Sequence, residues 1–210
     1  MKSIKAILNI IFYPTRTYKD IKDSKISLLL PVVILIIFFL LKEVTIAKVI
    51  ASSGRIIRYN IGIMGQKSSL SISPYLSLVK PVIIIPLILL IKALFFYAFN
   101  IFLKDKMNFK KYLLLVAYSS QIRIIEALLS MVYYSLFKYI PELGLSLLFQ
   151  TSGFFHSMLS KITVFSVWEM ILIVSGLNYL TGIEKKKGWL VGFVIWAIYI
   201  LISALISKRV

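Results

Sequence analysis

The sequence predicts an all-α, polytopic membrane helix bundle, with five transmembrane helices preceded by an N-terminal amphipathic helix lying in the membrane interface. Three observations carry that prediction. Sixty per cent of the 210 residues are apolar and only 16% are charged, with a mean hydropathy of +0.91. Soluble domains run at about 45–50% apolar and about 25% charged, and a soluble fold of this size keeps too much surface to hide so much hydrocarbon. Apolar runs of about 20 residues, the length that crosses a bilayer core as helix, recur five times. These runs are too long and too continuous for the ~10-residue alternating strands of a membrane barrel. Helices also satisfy every backbone group where no water is available.

Residues 1–25 read as a basic amphipathic interfacial segment and 26–210 as the membrane domain. Ile4, Ile7, Leu8, Ile11 and Phe12 fall on one helical stripe, Lys2, Lys5 and Asn9 lie off it, and Pro14 ends the run. No small-x-small cleavage site follows, so the pattern reads as an in-plane helix rather than a signal peptide. A plain basic leader that only sets topology is the simpler alternative. Thr17 and Asp20 have the spacing of a capping box, which places a second short helix near Thr17. Lys2, Lys5, Arg16, Lys19 and Lys22 are the expected contacts to lipid headgroups.

The five spans are predicted at about 26–50, 75–103, 112–137, 162–183 and 188–207. Pro31 is tolerated in the opening turn of the first, and Lys42 and Glu43 read as interface residues, the lysine snorkelling. Pro81 and Pro86 mark either a discontinuous helix or a bend that neighbouring helices accommodate. Segment 44–59 continues the first span as helix, whereas 60–74 reads as a flexible external loop. The second long connection, 138–161, is oily through Leu145, Leu147, Leu148, Phe149, Phe154 and Phe155, and is expected to lie on the membrane or dip into it.

Charge fixes the expected orientation. With the N-terminus inside, inner segments hold thirteen Lys and Arg and outer segments eight, and the two inner loops are short and dense in lysine. The reading is a plasma-membrane protein with its N-terminus inside and its C-terminus outside. The four positive charges between residues 43 and 74 run against the rule. The overall excess of 25 Lys+Arg over 8 Asp+Glu points to anionic headgroups, with no nucleic-acid partner expected.

Four ionisable residues lie within the apolar runs: Lys92, Arg123, Glu126 and Glu169. Each costs about 2.5–3.5 kcal/mol at mid-bilayer if unpaired. Arg123 and Glu126 are three apart and can pair within one helix. Lys92 and Glu169 would meet each other across the bundle or join that pair, with Ser119, Ser120 and Gln121 adding hydrogen-bonding capacity. The cluster reads either as a charge-balanced lock between spans or as a polar path. The lock is favoured, because a path needs more polar lining than these helices offer.

Catalytic templates are missing. There are no cysteines, and a lone His156 excludes a two-histidine zinc motif. No GxSxG, P-loop or GxGxxG occurs. No catalytic residue, metal or cofactor is expected, and the function read from the residues is a non-enzymatic scaffold that organises the membrane or a partner protein. A small transporter or channel using the charge cluster is the alternative. Another membrane protein, or a second copy packed through Gly188-x3-Gly192, is a further candidate partner.

Three stretches carry a family resemblance. Pro14 is followed four residues later by Tyr18 within a basic segment; Tyr112–Tyr118 leads into polar residues; and Trp168, Leu172, Gly176-Leu177 and Gly182 precede the lysines at 185–187. In order and span count this resembles the Yip1 domain family of multi-pass membrane proteins, over roughly 5–205. The resemblance implies a five-span fold. Eukaryotic members act in vesicle traffic and contact prenylated GTPases, largely through an acidic cytosolic extension that this sequence lacks. The compact, Ile- and Lys-rich chain looks more like a prokaryotic member at the plasma membrane.

Overall fold

The computed structural model describes residues 2–52, 74–103, 107–137, 143–149 and 152–208. Residues 60–73 of the loop predicted at 60–74, residues 53–59 of the helix predicted at 44–59, and Arg55, Arg58, Lys67, Lys104, Lys106, Lys138 and Arg209 of the charge count lie outside the described residues, whereas Pro74 opens α4. In chain order the helices are α1 (Lys2–Phe12), α2 (Pro14–Lys22), α3 (Leu29–Ser52), α4 (Pro74–Leu103), α5 (Phe109–Ser119), α6 (Ile122–Phe137), α7 (Gly153–Lys161), α8 (Val164–Thr181) and α9 (Lys185–Lys208). Among the described residues, five stretches are long and apolar enough to cross a membrane: Leu29–Lys48, Val79–Phe99, Phe109–Phe137, Val164–Thr181 and Lys185–Leu205.

The third stretch is the centre of the bundle, 61% buried against 11% for the first. Leu114, Leu115, Val116, Ala117 and Tyr118 are all buried, whereas α3, α4 and α9 expose Ile37, Leu87 and Phe193 as a hydrocarbon-facing surface. The sequence predicted one continuous helix here, but the chain turns at Ser120–Gln121 to separate α5 from α6. At the turn the backbone bonds shorten to i→i−3, from Gln121, Arg123 and Ile124. The Gln121 side chain then donates from Nε2 to the Ala117 carbonyl at 2.9 Å and to the Pro31 carbonyl of α3 at 3.0 Å. An amide therefore supplies the bond the kink removes, which is how a helix breaks inside a membrane at tolerable cost. In contrast, α4 runs as one helix through Pro81 and Pro86.

An N-terminal helix precedes the spans, as expected, and one side of it packs into the bundle. Ala6, Ile7 and Ile10 of α1 are buried in the same core as α5 and α8, while Ile4, Leu8 and Phe12 are exposed. The apolar stripe is thus divided, because Ala6 and Ile10 extend it round to a second side. Helix α2 begins at Pro14 rather than near Thr17, the proline occupying a first-turn position where its missing N–H is harmless. Thr17 does not cap; its hydroxyl donates to the Ala6 carbonyl at 2.9 Å and ties α2 to α1.

The oily second connection contains structure the sequence did not predict. Leu145–Leu148 form a 3-10 turn, Gly144 pairs with Thr163, and α7 packs against α9. Thr163 then caps α8 in a reciprocal capping box with Ser166. Leu147, Leu148, Phe149 and Phe155 stay exposed at that end of the bundle.

Gly188 and Gly192 serve contact between α9 and α8 within one chain. A Cβ on Gly188 would overlap the Asn178 side chain, and one on Gly192 would overlap Val174. The small-xxx-small spacing lets these helices approach closely, which is where packing energy lies in lipid. Gly192→Leu should lower the melting temperature of the detergent-solubilised protein, an overpacking cost of about 1–3 kcal/mol. Leu201→Ala, on the exposed face of the same helix, should leave it unchanged in the same scan.

Candidate functional site

Four helices converge on Glu169. The carboxylate lies on the second turn of α8, buried to 3% exposure, and its neighbours come from α4, α5 and α6. Lys92 Nζ of α4 meets Oε1 at 2.6 Å, and Arg123 Nε of α6 meets Oε2 at 2.9 Å. Arg123 also donates through Nη1 to Glu126 Oε2 at 2.6 Å, one turn along α6. Ser120, at the break between α5 and α6, donates its hydroxyl to Glu169 Oε1 at 2.6 Å. The break has a purpose in this geometry: it sets Ser120 and Arg123 toward α8 from successive turns.

All four sequence-predicted intramembrane residues are brought together, and their charges cancel. Glu169 is the hub, holding both cations, while Glu126 balances the second edge of the guanidinium. Arg suits that bridging role, since its planar fork serves two carboxylates at once. Of the neighbouring polar residues, Ser120 joins the network, Gln121 turns to α3, and the Ser119 hydroxyl is buried without a partner. Tyr199 of α9 was not foreseen; its ring lies 4.6 Å beneath the Lys92 ammonium, a cation–π contact in a desolvated setting. The signal available was only an aromatic inside an apolar run, which is too common to single out.

Beside the network lies a cavity of ≈ 650 Å³, reaching from Lys80 and Lys161 at the α7 end to Lys92 and Glu169. Lys42 and Glu43 line this cavity as half-buried residues of α3. Leu35, Phe39, Ile84 and Leu89 give it an apolar wall. Among the described residues, no group of three or more His, Cys, Asp or Glu side chains is arranged to hold a metal ion. His156 sits half-buried on α7, away from these linings.

The opposite end of the bundle carries the N-terminal cations. Lys2, Lys5, Arg16, Lys19 and Lys22 are all exposed on α1 and α2, and Arg16 stacks 5.0 Å over Tyr13. They do not join the intramembrane cluster. Below them, Tyr18 of α2 enters the core at 1% exposure and donates its hydroxyl to the Leu172 carbonyl of α8 at 2.7 Å. Burial pushes its phenol well above the ordinary tyrosine range, so it remains a neutral donor. Its ring lies against Gly176, where a Cβ would reach within 2.7 Å of the ring. At the exposed end of α2, a hydrogen bond from Lys25 holds the Asp23 carboxyl below its usual range. Tyr118 of α5 donates to the Ser27 carbonyl at 3.0 Å, fastening the segment that leads into α3.

Removing one partner of a buried ion network leaves an uncompensated charge, at a cost of about 3–5 kcal/mol. Glu169→Gln should therefore lower thermal stability in detergent by a margin of that order, because two cations lose their hub. The double variant Lys92→Met/Glu169→Met should recover part of the loss, and a strictly additive double variant would show that the pair is not coupled.

The three stretches that suggested a family thus meet in space around Gly176 of α8: Tyr18 from the Pro-x3-aromatic segment and Leu115 from the 112–118 stretch both lie where a Cβ on Gly176 would fall, and the Tyr18 hydroxyl bonds to Leu172. Comparison with known proteins agrees. The chain is 32% identical over 53 residues to the membrane protein YknW of Bacillus subtilis (strain 168), a match covering 25% of this chain and 23% of that protein. No solved structure matches. Residues 8–206 match the Yip1 domain, so nearly the whole chain is accounted for and the protein belongs to the Yip1 domain family of membrane proteins.

Proposed function

We propose that the protein is a non-enzymatic scaffold of the plasma membrane, N-terminus in the cytosol and C-terminus outside, which organises anionic lipid or a partner at its cytosolic face. The observation that carries this reading is the three-sided build of α1. One side (Ala6, Ile7, Ile10) is fixed to the bundle, the next (Ile4, Leu8, Phe12) is apolar and exposed, and the third (Lys2, Lys5) is cationic. A helix so mounted is held at the depth where lipid tails meet headgroups, with its lysines at the phosphate level. Each such cation near an anionic surface contributes about 1 kcal/mol, falling off within a Debye length.

Lipid analysis of the protein extracted with its surrounding bilayer should show anionic lipid enriched over the bulk membrane. The enrichment should fall with added salt, and should drop toward the bulk ratio in Lys2→Gln/Lys5→Gln/Lys19→Gln/Lys22→Gln. Equal enrichment in that variant would remove the electrostatic basis of the proposal. Orientation is read separately, since the chain has no cysteine of its own. A membrane-impermeant maleimide applied to intact cells should leave Lys5→Cys unlabelled, and labelling there would reverse the topology.

A second reading, transport through the charge cluster, draws on the cavity that reaches Lys92 and Glu169. It requires solute or ion flux in reconstituted vesicles that Glu169→Gln abolishes. Under the scaffold reading, wild-type vesicles are as tight as empty ones.

A further inference from the structure

The charge-balanced network occupies only the deep end of the ≈ 650 Å³ cavity. Nearer the α7 end the lining changes character. Lys42, Lys80 and Lys161 line it together with Glu43, the neighbour of Lys42 on α3. Lys80 makes an interaction of its own and Lys42 Nζ lies 5.8 Å over the Phe39 ring, so Lys42 and Lys161 together exceed Glu43 by one positive charge. Cations held within a membrane-spanning bundle are costly unless an anion meets them. The anions a bilayer supplies are phosphates attached to hydrocarbon. The remaining lining matches the second half of such a molecule, since Leu35 and Phe39 of α3 and Ile84 and Ile88 of α4 supply apolar lining to the same cavity. The volume falls within the roughly 300–1,000 Å³ range of small-molecule sites.

We propose that this cavity binds a phosphate-bearing amphiphile, with Lys42 and Lys161 holding the phosphate and the α3–α4 wall receiving its hydrocarbon. The matched charges below keep the ligand from descending further: Lys92 and Arg123 are already engaged by Glu169 and Glu126, whose carboxylates repel a second anion. The proposal is independent of lipid enrichment at the cytosolic face, because it uses the opposite end of the bundle and a different set of lysines.

The test is a titration of the full-length protein in detergent micelles, followed by native mass spectrometry and calorimetry. Three probes are compared: dihexanoyl phosphatidic acid, dihexanoyl phosphatidylcholine and inorganic phosphate. Saturable binding of the phosphatidic acid is expected, weaker for the other two. Lys42→Gln/Lys161→Gln should weaken it about tenfold or more, the loss expected for charge-assisted hydrogen bonds to phosphate. Lys42→Arg/Lys161→Arg should retain it, and Lys2→Gln/Lys5→Gln should leave it unchanged. A melting scan of each variant separates lost binding from lost fold. Unaltered affinity in the well-folded Lys→Gln pair, or no saturable binding of phosphatidic acid at all, would overturn the site. Equal affinity for inorganic phosphate would overturn the amphiphile and leave a free anion.

Discussion

A single carboxylate, Glu169, sets the terms on which this bundle packs. An isolated charge inside hydrocarbon is expensive on any scale, so the second turn of α8 is stable only where cations reach it. Lys92 and Arg123 both do, from helices on different sides, and Ser120 fills the remaining capacity of Oε1. That requirement positions α4, α6 and α8 relative to one another more narrowly than apolar packing can, since lipid tails compete on equal terms with leucine side chains. It also explains the kink between α5 and α6. A straight helix would present its polar residues at fixed 100° intervals, whereas the turn at Ser120–Gln121 allows adjacent residues to serve α8 and α3 separately.

The other end of the molecule is organised by a neutral group. Tyr18 carries its hydroxyl into the bundle to the Leu172 carbonyl, and its ring occupies the space left by Gly176. Pro14 starts the helix that delivers it, and Thr17 binds that helix back to α1. The N-terminal pair is therefore part of the folded bundle, with its exposed cations mounted rigidly rather than displayed on a loose tail. A fixed basic platform at one end and an amphipathic cavity at the other give the chain two chemically distinct surfaces.

Much of the fold was legible because bilayer thickness dictates span length and few sequences satisfy it by accident. Five helical stretches of spanning length lie within a few residues of the predicted ones, the third divided into α5 and α6, and α9 starts earlier, at Lys185, because lysine is a good helix former. Helix α7 was missed since its nine residues, opening on glycine and mixing Phe with Ser, have no spanning length and no stripe to read. The kink was invisible because apolar residues continue on both sides of it. For the site, the four charges stood out against their apolar surroundings, yet their hierarchy did not. Which carboxylate becomes the hub depends on relative helix depth and rotation, which no local pattern encodes.

The account rests on Glu169 being an ionised group that binds two cations inside the bundle. Isotope-edited infrared spectroscopy of the protein in lipid at neutral pH tests this directly, with Glu169→Gln as the subtraction that isolates its signal. The account predicts that the difference spectrum loses a carboxylate stretch, shifted by strong hydrogen bonding. Loss of a protonated carboxyl carbonyl stretch instead would show a neutral acid at the centre of the bundle, and would contradict the ion network from which the packing was derived.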